Sequence, residues 1–287
     1  MMTLRTKTLQ TPVRPLKLEP FPQPEFIYTR HPVVLMHGFG AFATVGRKGY
    51  LHHIAMHLRS HGVRAYAPNV DPYGTIETRA FMWKQRIEKI LDETRADKVN
   101  LIAHSMGGLD ARYLISELDG YAYIASLITF STPHRGTALA RYALERPEQL
   151  GNWLTGVMNW LGSIVYESGK PNAALTLSEL TPEYIEEQFN PFVPDHPAVS
   201  YWSIGGRAGK GTDVPVNPFL VMPNRLLYKY EGVNDGLVSV ASARWTHFLG
   251  VVEADHARQI GLGLKRGIYD AEGYFTSLVK RLSEWGF

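Results

Sequence analysis

From residue 33 onward the chain alternates short, mainly apolar runs with longer stretches in which apolar residues recur at three- and four-residue steps. VVLM (33–36), VRAYAP (63–68), VNLIAH (99–104) and IASLITF (124–130) are of the first kind; YLHHIAMHLRSHG (50–62), FMWKQRIEKILDETRA (81–96) and DARYLISEL (110–118) are of the second. Continuous apolar runs suit strands buried on both faces, and their alternation with amphipathic helices predicts a mostly parallel sheet with helices on both sides. VSYWSI (199–204) and THFLGVV (246–252) are later strand candidates, and YFTSLVKRLSEW (274–285) reads as a closing helix. Pro12, Pro15, Pro20, Pro22 and Pro24 forbid helix at the start, so residues 1–30 read as an extended arm before one α/β domain over 31–287. Between about 137 and 198 the rhythm fails, and this stretch reads as a lid or cap inserted above the sheet.

The passage VNLIAHSMGGLDARYLIS poses a chemical question, because a buried strand ends at a serine and a helix begins at once. Ligands of open parallel sheets sit at the carboxyl ends of the strands, so a side chain on that sharp turn is pushed into the site. Ala103 and Gly107, two before and two after Ser105, are small enough for strand and helix to close around a strained nucleophile. Taken alone the pattern is weak, since a chain of this length has roughly a 20% chance of one match; the strand before it and the helix after it give it weight.

A serine hydroxyl needs a base to take its proton, and the base needs a carboxylate to orient it. On such a sheet the chain order is Ser, then Asp or Glu, then His. GVNDGLVS offers Asp235 and EADHARQIG offers His256, both beyond the insertion and in that order. The plainer reading of Asp235 is an ordinary Asn-Asp-Gly turn. Asp213 sits in a Gly/Lys stretch, and Asp255, adjacent to His256, is poorly placed to reach its ring. His104 flanks the elbow; His52, His53 and His57 read as solvated or packed, because the i, i+4 pair lacks the carboxylate of a zinc-protease pattern. Acyl transfer also needs donors for the developing oxyanion. The backbone N–H of Met106 is one candidate, and that of Phe39, in HGFG (37–40) after the first strand, is the other. GGRAGKGT (205–212) lacks the first glycine and the terminal Ser/Thr of a phosphate loop and reads as a plain loop.

Within the insertion, Trp153, Val157, Trp160, Leu161 and Ile164 form an apolar stripe at helical spacing, and Leu154, Met158 and Val165 widen it beyond one buried face. The expectation is a lid whose apolar face covers Ser105 in water and turns toward lipid; the alternative is a helix packed permanently on the core.

Composition narrows this picture only slightly. Hydrophobic residues at 45% of 287 suffice for a full core, and a net charge of +3 without a basic, aromatic-interleaved run marks no nucleic-acid face. There is no cysteine, hence no thiolate chemistry or disulfide framework, and no apolar run is long enough for a membrane span. The first twenty residues lack the apolar core of a secretory signal, so the sequence as written is expected to be cytoplasmic.

Together, PVVLMHGFG, VNLIAHSMGGLDARYLIS, STPHRGTALA, YWSIGG and GVNDGLVS resemble the bacterial triacylglycerol lipases and carboxylesterases of the α/β-hydrolase fold, over roughly residues 30 to 262. The resemblance implies hydrolysis of carboxylic esters of lipids, with Ser105, Asp235 and His256 as triad, Phe39 and Met106 as oxyanion donors, and no cofactor. A short-chain esterase, a polyester hydrolase or an acyltransferase would use the same machinery; a binding-only scaffold would more commonly have lost a triad member. Many such lipases hold a structural calcium through an acidic residue shortly after the histidine. Here Arg258 stands there, so no metal is expected, and the reading is a guanidinium that pairs with Asp213 or a nearby carboxylate in the metal's stead.

Overall fold

A computed structural model of the chain describes residues 25–40, 51–146, 170–262 and 269–287. Its sheet has six strands, all parallel: β1 (Val33–Met36), β2 (Ala65–Tyr66), β3 (Val99–His104), β4 (Ile124–Phe130), β5 (Ser200–Gly206) and β6 (His247–Val252), in the spatial order β2-β1-β3-β4-β5-β6. This is the arrangement of an α/β-hydrolase. β1, β3 and β4 coincide with the expected runs residue for residue because those strands are buried on both faces, and of the few polar residues in them Ser126 Oγ donates to Asn100 Oδ1 on the neighbouring strand.

Seven helices of eight residues or more are described: α1 (His52–Ser60), α2 (Ile76–Thr94), α3 (Gly107–Glu117), α4 (Ala138–Glu145), α5 (Lys170–Ser178), α6 (Val221–Glu231) and α7 (Ala271–Glu284). Alternate strand residues feed two cores. Val33, Leu35 and Ile102 pack with Ile54 and Leu58 of α1 and Phe275, Leu278 and Leu282 of α7. Val34, Met36, Leu101 and Ala103 pack on the other face with Trp83 and Ile87 of α2 and Leu114 of α3. Residues 25–30 run along the first of these layers: Ile27 N–H donates to His61 O and Arg30 N–H to Phe287 O.

α2 begins five residues before its apolar pattern. The Thr75 hydroxyl accepts from Thr78 N–H at 3.2 Å, and Glu179 Oε2 accepts from Ile76 N–H at 2.7 Å, so one orphan donor is satisfied from 103 residues away. α6 was not expected, because Pro223 breaks its pattern, yet that residue falls in the first turn, where a missing N–H costs nothing.

The strand order reverses at β1: the chain leaves it for β2 on one side and returns as β3 on the other. Met36 and Ala103 are paired at the carboxyl ends of these strands, so the loops 37–40 and 104–106 emerge side by side at the switch point, where such sheets bind ligands.

Candidate active site

Ser105 holds a left-handed φ of 58°, a conformation that costs a side-chain-bearing residue about 1–3 kcal/mol. The surroundings enforce it. Ser105 N–H donates to Phe130 O at 2.9 Å, and Thr132 Oγ1 donates to Ser105 O at 2.8 Å. A Cβ on Gly107 would stand 2.7 Å from the His37 carbonyl oxygen, and one on Gly108 would collide with the Thr132 side chain, so both glycines are needed for α3 to start here. Gly38 closes the arrangement: a Cβ there would lie 2.6 Å from Ser105 Cβ, 2.9 Å from Ser105 Oγ and 3.0 Å from Met106 N. The loop after β1 therefore lies directly against the serine and the N–H that follows it. As at the start of any helix, that N–H has no acceptor within the helix.

The same loop is held by its carbonyls. Val70 N–H donates to His37 Nε2 at 3.1 Å, so the proton of this neutral ring is on Nδ1, which donates to Gly38 O at 3.0 Å. Burial, reinforced by Arg79, pushes the His37 pKa down to about 3 and keeps the ring neutral. Arg79 Nη2 donates to His37 O at 2.7 Å, while its guanidinium pairs with Asp110 of α3 at 2.8 Å, fully buried. Because a peptide is planar and trans, fixing the Gly38 carbonyl on His37 turns the Phe39 N–H the opposite way. The Phe39 ring stacks edge-on against Tyr73 at 5.5 Å and joins an apolar cluster with Met106, Leu180, Ile185 and Phe189.

Glu179 adds a pH dependence to this region. Burial pushes its pKa up to about 7, with Asp110 and Glu77 adding to the rise against the Ile76 N–H and Arg79. An acid whose folded pKa is raised loses stability as pH rises from its unfolded value to its folded one. Thermal melts should therefore show a Glu179→Gln variant gaining more over wild type at pH 8 than at pH 5; an equal difference at both would refute the assignment.

Asp235 lies in the loop after α6 and is buried. It forms the expected turn: Oδ1 accepts from Leu237 N–H at 3.0 Å and Val238 N–H at 2.8 Å, and Gly236 at φ 105° completes it. The turn leaves Oδ2 free to face His256 Nδ1 at 2.8 Å. Burial raises the Asp235 pKa, but the His256 charge and hydrogen bond and the two loop N–H groups outweigh it, and the carboxyl ends below its ordinary value. The His256 ring in turn lies 4.5 Å, centroid to centroid, from that of His104, the residue preceding Ser105. Loops after β1, β3 and β6 and the loop after α6 thus bring Gly38, Phe39, Ser105, Met106, Asp235 and His256 to one end of the sheet. Trp153, Val157, Trp160, Leu161 and Ile164, expected in a lid, lie outside the described residues.

Three further side chains stand close to His256. Asp255 does not compete for the His256 ring; it accepts from Asn217 N–H at 3.0 Å and Arg258 N–H at 3.0 Å. Arg258 pairs with this Asp255 at 3.3 Å and donates to Pro215 O, not to Asp213, because the turn after His256 folds residue 258 back over residue 255. Gln259 had no signal in the sequence, yet its amide touches Asp235.

The carboxylate beside His256, Asp255, is taken by the guanidinium of Arg258, which also donates to Pro215 O and so ties the histidine loop to residues 215–217 without a metal ion. Among the described residues no cluster of three or more His, Asp or Glu is placed to hold a metal. Chelator should accordingly change neither activity nor melting temperature. Arg258→Ala should cost about 3 kcal/mol of stability by leaving Asp255 buried and unpaired. Inactivation by EDTA with recovery on calcium addition would overturn this account.

The family model of palmitoyl protein thioesterases matches residues 32–172. Triacylglycerol lipase 2 of Saccharomyces cerevisiae is 35% identical over 207 residues, covering 69% of this chain and 58% of that protein. A triacylglycerol lipase of Vibrio cholerae is 35% identical over 41% of this chain and 37% of its own length. The chain thus spans less than two thirds of these two relatives. A triacylglycerol lipase of Pseudomonas fragi is 27% identical over 91% of this chain and 98% of its own length. Among solved structures, lipase 1 of Pelosinus fermentans superposes with a TM-score of 0.70 at 18% identity, over 90% of this chain and 99% of that one. The mature Bacillus licheniformis lipase BlEst2 does so with 0.66 at 22%, over 90% and 96%. At these identities the superpositions bear on the fold.

Proposed function

The chain belongs to the lipase and carboxylesterase family of the α/β-hydrolase fold, and from that premise we propose that it is a serine hydrolase cleaving carboxylic esters of lipids, acylglycerols foremost, through an acyl-enzyme on Ser105. The observation that carries the reading is the Asp235–His256 contact of 2.8 Å, on a ring 4.5 Å, centroid to centroid, from that of the residue preceding a serine at φ 58°. Asp235 holds the proton of His256 on Nδ1, leaving Nε2 as the base. Ser105 Oγ attacks the ester carbonyl carbon as His256 Nε2 takes its proton; the oxyanion is received by the N–H groups of Met106 and Phe39. Collapse expels the alcohol, which leaves with the proton from His256. Water then attacks the acyl-enzyme carbonyl as His256 Nε2 takes its proton, and collapse of the second tetrahedral intermediate returns that proton to Ser105 Oγ and releases the carboxylic acid.

The apolar cluster of Phe39, Met106, Leu180, Ile185 and Phe189 beside the nucleophile supports an apolar acyl group. The stripe from Trp153 to Ile164 is the proposed lid, which would favour substrate presented at a lipid–water interface. No helix among the described residues is long and apolar enough to cross a membrane, so the proposed encounter with lipid is by surface contact. Rates over a series of p-nitrophenyl esters and emulsified triglyceride test the proposal. Ester turnover that rises as substrate passes its solubility limit is expected; a folded protein that turns over none of them would sink it.

A further inference from the structure

We propose that Gln259 is a positioning residue that sets the mutual placement of Ser105, Asp235 and His256, by bridging the three loops that carry them. The proposal rests on the assignment of those residues as nucleophile, acid and base.

The amide of Gln259 has one possible orientation. Its nitrogen faces two acceptors, Asp235 Oδ2 at 2.8 Å and Ala254 O at 3.3 Å, so it must be the donor end. Its oxygen therefore faces His104 Nε2 at 3.1 Å, and His104 carries its proton there. Burial, with His256 adding to it, keeps the His104 pKa well below the ordinary histidine value, so this ring is a neutral donor. The result is one directed chain: His104 Nε2–H to Gln259 Oε1, Gln259 Nε2–H to Asp235 Oδ2.

Each link joins a different part of the site. Gln259 is fully buried and follows His256 by three residues, so its bond to Asp235 is a second strap between the histidine and aspartate loops, beside the His256–Asp235 contact itself. Through His104 it also reaches the residue before Ser105. His104 closes the circuit, since its ring packs 4.5 Å, centroid to centroid, from that of His256. Asp235 then receives two donors on each oxygen, and Gln259 takes the second position on Oδ2. Space for the amide comes from Gly206 at the end of β5, where any Cβ would collide with the Gln259 amide nitrogen. A glycine that admits one particular amide, fully satisfied at both ends, marks a built feature of the site rather than a filler of the core.

A neutral amide at this place also matters for charge. The other acid close by, Asp255, is occupied by Arg258, so Asp235 is the one carboxylate whose charge His256 meets directly. A carboxylate in place of Gln259 would add a second negative charge on the far side of Oδ2 and hold the imidazole proton more tightly.

The test uses the full chain and two variants, with kcat, KM and the pH profile of kcat/KM measured on a soluble p-nitrophenyl ester. Gln259→Met, similar in shape and without hydrogen bonds, is expected to lower kcat by about 10- to 100-fold, the usual cost of removing an orienting partner, with KM within about twofold of wild type. Gln259→Glu, nearly isosteric, is expected to move the acid limb of the profile upward by about one pH unit. An amide that only fills space would leave the kcat of the Met variant at the wild-type level. If the Met variant fails to fold, as a melting curve would reveal, the Glu variant decides alone. A Met variant within about threefold of wild-type kcat, or a folded Glu variant with its acid limb unmoved, overturns the proposal. Stoichiometric labelling of Ser105 by a phosphonate in wild type separates the two readings. Labelling with inert Gln259 variants removes this proposal only, whereas no labelling removes the triad assignment and this proposal with it.

Discussion

Replacing Ser105 by alanine is expected to lower kcat by about 10⁴-fold or more, because nucleophile, base and acid act as a unit and only the oxyanion donors and binding remain. The backbone at this residue adds a second readout. Alanine at φ 58° keeps the strain of the wild type, whereas glycine adopts that conformation freely. Ser105→Gly should be equally inactive yet about 1 kcal/mol more stable than Ser105→Ala. A well-folded Ser105→Ala protein retaining more than a few per cent of wild-type activity would refute the nucleophile, and equal melting temperatures for the two variants would refute the strain.

Gly38→Ala is the second large effect. The added methyl carbon would sit 2.6 Å from Ser105 Cβ and 2.9 Å from Ser105 Oγ, closer than atoms of this kind approach. Neither partner has an easy retreat, since Ser105 is pinned by Phe130 O and Thr132, and the loop by His37 and Arg79. The proposed oxyanion donors, Phe39 and Met106, would be displaced from the reacting carbonyl, at an expected cost of about 10²- to 10³-fold in kcat. Retention of a tenth of wild-type activity would mean that the loop does not lie against the nucleophile in this way.

What could be read from the sequence was whatever repeats or stands at a fixed spacing. VVLM, VNLIAH and IASLITF matched β1, β3 and β4 to the residue, since burial on both faces leaves a mainly apolar run on each. The small residues around Ser105 and the order Ser, Asp, His were equally visible, because each answers to a local turn or a chain direction. Contacts made across the fold were not. The start of α2 depends on Glu179, the role of Gln259 on the room left by Gly206, and the tautomer of His37 on the N–H of Val70. Arg258 was singled out, and of the partners considered, Asp213 or a nearby carboxylate, it takes the latter, because a one-turn helix after His256 brings Asp255 nearer than any acid upstream.

The crowding of glycines at the nucleophile also divides the molecule for anyone who would redesign it. Gly38, Gly107 and Gly108 face, in turn, Ser105, the His37 carbonyl and Thr132, so the machinery is built of main chain packed against main chain or against pinned side chains. Mutagenesis there has almost no vocabulary: any added atom meets something fixed. Leu180, Ile185 and Phe189, in the chain between β4 and β5, meet the same region through apolar side chains, packed in one cluster with Phe39 and Met106. Libraries confined to those positions can explore new ester substrates while leaving the reacting geometry alone, and a lineage drifting toward a new substrate would be free to move along the same few residues.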